Sequence, residues 1–116
     1  MAIVDDDPFI RAALGRLVRS IGYEALAFEG AEAMLSHATL KGFCCVLADL
    51  QMPGVNGIEL IQTLAGRCPT LPVVAMTAYP SEAIRQRALA AGAVAYLTKP
   101  FDATLLETHL SRFSSP

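Results

Sequence analysis

The chain is 116 residues long, 53% hydrophobic and 17% charged, with a formal net charge of −2. That is enough for one domain with a buried core, and no apolar run approaches the roughly 18 residues that span a bilayer. Lysines and arginines are scattered rather than gathered into a stripe, which argues against nucleic acid as a partner of this domain by itself.

The opening Met-Ala-Ile-Val, followed by three aspartates, lacks the basic segment of a signal peptide. The three cysteines are odd in number and none sits in a C-x-x-C pair, so Cys44, Cys45 and Cys68 are expected as packed thiols. A cytoplasmic protein with no membrane contact is the expectation.

Residues 2–5 form a short apolar run ending in acid, read as a first strand. Asp7 is placed to cap a helix and Pro8 suits its first position. Ile10, Leu14, Leu17, Val18 and Ile21 recur at spacings of three and four, with Arg11, Arg16 and Arg19 turned outward and Gly22 ending the helix in a left-handed conformation. Residues 24–28 are mixed in polarity and predict an edge strand, and 31–38 predict a second helix. Residues 44–48 are wholly apolar and stop at Asp49, as a strand buried on both faces would. Turn chemistry over 52–57 follows, with Asn56 as cap of a third helix running through Leu64. Residues 72–76 predict a fourth strand with Pro72 at its tolerated first position, 81–91 a fourth helix closed by Gly92, and 94–98 a fifth strand. Asp102 caps a last helix with Leu105, Leu106, Leu110 and Phe113 on one face. This alternation predicts an α/β domain with a parallel sheet and right-handed crossovers.

Parallel sheets place ligands at the carboxyl ends of their strands. Asp5, Asp6 and Asp7 follow the first predicted strand, Asp49 the third, Thr77 the fourth and Lys99 the fifth, so all rise at one edge. Two carboxylates about 4 Å apart repel by roughly 4 kcal/mol at an effective dielectric near 20. A hard divalent cation offsets this, and oxygen ligands without thiol or imidazole suit Mg²⁺ or Mn²⁺. A carboxylate can also serve as nucleophile toward phosphorus, with a metal and a lysine ammonium as positive clamps. Asp49 ends the most apolar strand and precedes a turn that leaves it accessible, which makes it the nucleophile of choice.

Ile3-Val-Asp-Asp-Asp7, Asp49-Leu-Gln-Met-Pro-Gly54 with Gly57, Thr77-Ala78, and Gly92-Ala93 leading to Tyr96 and Lys99-Pro100-Phe101 together resemble a response-regulator receiver domain of two-component signalling, in order and spacing across nearly the whole chain. The resemblance implies a CheY-like, flavodoxin-like fold: a five-stranded parallel sheet in the order 2-1-3-4-5 with helices on both faces. It implies Asp49 as phospho-acceptor and metal ligand, Asp6 as a direct ligand of Mg²⁺ or Mn²⁺, Asp5 as a ligand through water and Gln51 as a ligand through its backbone carbonyl. Thr77 and Lys99 would contact the phosphoryl group, Thr77 and Tyr96 would form the switch, and the Lys99–Pro100 bond would be cis. Gln51 and Tyr79, each two residues beyond a key position, would flank the path of hydrolytic water, with Tyr79 as a screen.

The implied partner is a sensor histidine kinase, with a homodimer through the fourth helix, fifth strand and fifth helix on phosphorylation. The implied output is transcription, as in LuxR/FixJ-type regulators. Residues 1–113 would be the receiver and 114–116 the start of a linker to an output domain. In this reading the protein is not an enzyme beyond its own phosphorylation and dephosphorylation. Two alternatives stay open: a degenerate receiver that only binds protein, and a small phosphohydrolase with an aspartate nucleophile. Such hydrolases carry a second aspartate two residues on, where Gln51 stands here. Asp7 reads as a helix cap rather than a ligand, and His37 and His109 read as neither metal-binding nor phosphorylated.

Overall fold

The computed structural model describes residues 1–37, 42–51, 57–99, 101 and 103–110. Its elements in chain order are β1 (Ala2–Val4), α1 (Pro8–Ser20), β2 (Leu26–Phe28), α2 (Ala31–Leu35), β3 (Val46–Asp49), α3 (Gly57–Arg67), β4 (Val73–Thr77), α4 (Glu82–Ala91), β5 (Ala95–Thr98) and α5 (Ala103–Leu110). The strands form one sheet in the order β2-β1-β3-β4-β5, and every pairing is parallel. This is the expected doubly wound architecture.

The central strands read as unbroken apolar runs because each face of the sheet has its own core. Ala2, Val4, Val46, Ala48, Val73 and Ala75 face one core, filled by Met34 of α2, Leu60, Ile61 and Leu64 of α3 and Ala88 of α4. The alternate residues Ile3, Leu47, Val74, Met76 and Leu97 face the other, filled by Leu14 and Val18 of α1 and Leu106 and Leu110 of α5. Phe28, His37 and Phe43 meet as a cluster of three rings, so His37 is engaged in packing. Burial pushes the Cys45 thiol up to about 12, which makes it an inert core residue. Among the described residues no helix is long and apolar enough to cross a membrane.

The local signals hold at both ends of α1. The Asp7 side chain accepts hydrogen bonds from the N–H groups of Phe9 and Ile10, with Pro8 opening the helix. At the far end Gly22 takes φ +94°, and Gly22 and Tyr23 donate to the carbonyls of Arg19 and Val18. Ser81 proves to be the cap of α4, accepting from Ile84 N–H, and Gly92 closes that helix. Several expectations are corrected. β2 starts at Leu26 rather than residue 24, and α2 ends at Leu35. β3 begins at Val46, because pairing with β1 starts at Ala2↔Val46, and it includes Asp49, because Asp49↔Met76 continues the ladder with β4. Leu105 is 42% exposed, since the stripe of α5 runs through Leu106 and Leu110, four residues apart. Asn56, Pro100, Asp102 and Phe113 lie outside the described residues, and with them two expected caps and the expected cis bond.

Candidate functional site

The strand ends meet as the sheet demands. Asp5 follows β1, its N–H donating to the Phe28 carbonyl of β2. Asp49 ends β3, and Leu50 N–H keeps the chain on β4 by donating to the Met76 carbonyl. Thr77 pairs with Thr98, and Lys99 N–H donates to the Thr77 carbonyl. One carboxylate oxygen from each of Asp5, Asp6 and Asp49 lies within 4.8 Å of the others. Asp5 and Asp49 are buried, whereas Asp6 is exposed.

Each buried carboxylate has a defined set of donors. Asp5 Oδ1 accepts from Asp7 N–H at 2.9 Å and Asp5 Oδ2 from Lys99 Nζ at 2.9 Å. Asp49 Oδ1 accepts from Gln51 N–H at 3.1 Å and lies 3.5 Å from Lys99 Nζ. Burial holds the Asp49 carboxyl above the usual carboxylate range, with the Asp5 charge adding to it, against the lowering effect of Gln51 N–H and Lys99. Burial by itself would lower the Lys99 ammonium, but its hydrogen bond to Asp5 and the charges of Asp49 and Asp5 outweigh that and raise it. The site is therefore short of positive charge. Its donor set, oxygen without sulfur or imidazole, fits a hard divalent cation.

Around this cluster a cavity of about 450 Å³ opens past Asp6, Gln51, Tyr79 and Lys99 toward Ile10 and Phe101, large enough for a phosphoryl group to reach Asp49. Thr77 is fully buried. Its hydroxyl donates to Gln51 Oε1 at 2.7 Å and accepts from Tyr79 N–H at 3.0 Å. Tyr79 is 74% exposed and borders the cavity mouth. Tyr96 is half-buried, and its phenolic oxygen accepts from Ser81 N–H at 3.3 Å, tying β5 to the start of α4.

Thus Asp5, Asp6, Asp49, Thr77, Lys99 and Gln51 converge, and Tyr96 stands apart on the adjoining strand. Asp7 is a helix cap, and its carboxylate is outside the three-acid group. Two contributions were missed. Arg11, expected to face outward, turns its Nη1 onto the Asp5 carbonyl at 2.8 Å and anchors the acidic loop. Its place one turn into a helix that follows three acids was the available signal. The Gln51 side chain, expected beside the path of hydrolytic water, also accepts a hydrogen bond from the Thr77 hydroxyl; no local pattern carries that.

Residues 1–111 match the response regulator receiver domain family, and the chain belongs to it. Response regulator protein FleR of Pseudomonas aeruginosa is 38% identical over 104 residues, covering 90% of this chain and 22% of that protein. Transcriptional regulatory protein FixJ of Bradyrhizobium diazoefficiens is 34% identical over 100 residues, covering 86% of this chain and 49% of that protein. The chain thus spans between about a fifth and a half of these curated relatives. Among solved structures, the chemotaxis protein CheY4 of Vibrio cholerae superposes with a TM-score of 0.88 at 26% identity, over 97% of this chain and 95% of that one.

Proposed function

We propose that this receiver domain is a phospho-accepting switch, with Asp49 the acceptor. The observation that carries this is the buried Asp49 carboxylate, grouped with Asp5 and Asp6, addressed by Lys99 and open to the cavity. Asp5, Asp6, Asp49 and the Gln51 backbone carbonyl would hold Mg²⁺ or Mn²⁺. When bound, the ion would offset the acidic charge and that of the incoming phosphoryl group. Gln51 N–H and Lys99 address Oδ1, which leaves Oδ2 for attack. An Oδ2–P bond forms as the N–P bond of a donor phosphohistidine breaks, and the histidine nitrogen leaves with the electron pair. Lys99 stays beside the transferred group as a counter-charge.

Phosphorylation adds charge and acceptor oxygens at Asp49. Thr77 then donates to the phosphoryl group and the Tyr96 ring turns toward the vacated space, releasing its bond to Ser81. This alters the face of α4, β5 and α5, the surface we assign to homodimer formation. The donor in this reading is a sensor histidine kinase, and the output is transcription, as the names of FixJ and NtrC indicate for those proteins. Residues 1–113 form the receiver and 114–116 begin a linker. The domain is a regulatory acceptor rather than an enzyme acting on separate substrates. The test is uptake of phosphate from acetyl phosphate, read by mass spectrometry. One phosphoryl group is expected on the wild type with divalent metal and none on Asp49→Asn; equal labelling of both would refute the assignment.

A further inference from the structure

We propose that the Gln51 side chain is a positioning residue that holds the Thr77 hydroxyl in its resting place and so sets how readily the phosphorylated state is reached. The proposal rests on the phospho-acceptor reading above and concerns a contact that reading does not use.

The Thr77 hydroxyl has one proton to give. At rest that proton goes to Gln51 Oε1 at 2.7 Å, while the oxygen accepts from Tyr79 N–H at 3.0 Å. The residue is fully buried, so water does not compete for the hydroxyl at rest. To serve a phosphoryl oxygen on Asp49, the hydroxyl must first let go of Gln51. One residue thus touches both halves of the switch: its backbone N–H holds Asp49 Oδ1 and its side chain holds Thr77. Only the second contact depends on the side chain being glutamine.

The exchange is close to balanced. Gln51 is exposed, so its released amide returns to water at little cost. The buried hydroxyl trades one acceptor for another. Two states near in energy are what a ligand can shift, and removing the competing acceptor favours the phosphorylated arrangement.

Gln51→Met keeps the length of the side chain and removes the acceptor, and Gln51→Glu keeps an acceptor oxygen. Amide resonances of ¹⁵N-labelled protein are followed while beryllofluoride is titrated at saturating Mg²⁺. For Gln51→Met, beryllofluoride should bind about three- to tenfold tighter, the worth of one net hydrogen bond. Before any addition, its Tyr79 amide resonance should be displaced from the wild-type position. In Gln51→Glu that resonance should stay near the wild-type position. Unchanged or weaker beryllofluoride binding by Gln51→Met overturns the proposal, as does an unmoved Tyr79 amide in it. A Tyr79 amide in Gln51→Glu that moves as it does in Gln51→Met overturns it too. A wild type that takes up no beryllofluoride defeats the phospho-acceptor reading itself, and the latch with it. Normal wild-type uptake beside an unresponsive Gln51→Met defeats the latch alone.

Discussion

Asp49 is harder to ionise in the folded protein than in the unfolded chain, chiefly because it is buried. The folded state therefore holds that proton more tightly, and stability falls as pH rises from the ordinary carboxylate range through the raised value. Above it the penalty stays constant. Asp49→Asn removes this penalty and keeps the shape, while Lys99 retains Asp5 as its partner. Without divalent metal at neutral pH the variant should melt about 3–8 °C higher, and the difference should vanish below the ordinary carboxyl range. An equal or lower melting point would show that Lys99 already balances the charge. Gly57 lies against the backbone that carries the same carboxylate. A Cβ there would collide with the Asp49 carbonyl oxygen and lie 2.6 Å from Leu50 Cα, and backbone has no rotamer with which to yield. Gly57→Ala should cost about 1–3 kcal/mol in urea unfolding and weaken beryllofluoride uptake by displacing Asp49.

At the scale of elements, Asp7 separates two roles that sequence alone leaves entangled. Its side chain caps α1 while its N–H holds Asp5, and only the first depends on the carboxylate. Asp7→Ala should lose about 1 kcal/mol of stability, measured by chemical denaturation, and Asp7→Ser should recover most of it. A loss confined to Mg²⁺ binding, with stability intact, would instead make Asp7 a ligand. The Asp7, Gly22 and Gly92 caps and the central strands were legible because their signals are local: a strand covered on both faces is apolar throughout, and Asp49 stood out as the acid that ends one. β2 was drawn too long because an edge strand carries little apolar signal. β3 is predicted to start at Cys44 rather than Val46 because its first paired residue is set by β1 rather than by its own composition. The reach of Arg11 and the bond between Thr77 and Gln51 depend on where distant segments come to rest, and no spacing in the chain encodes them.

The whole molecule makes the site, since Asp5 and Lys99, hydrogen-bonded at 2.9 Å, are 94 positions apart in the chain. Only the folded state gathers the acidic group, so a cation that binds there must stabilise the fold by mass action. At a hundredfold excess over its dissociation constant that gain is about 2.7 kcal/mol, or roughly 10 °C in melting temperature for a domain of this size. Mg²⁺ should therefore raise the melting temperature progressively with concentration, and a chelator should reverse the rise. Ionic strength must be matched with a monovalent salt, because screening of surface charge also shifts stability. Asp6 discriminates best between the two effects. It is exposed, so Asp6→Asn should leave the fold intact and relieve repulsion in the metal-free protein, while flattening the Mg²⁺ response. A wild type whose melting temperature ignores Mg²⁺ at constant ionic strength would leave the carboxylates that follow β1 and end β3 as neighbours without a shared ion, and the phosphoryl chemistry at Asp49 without its counter-charge.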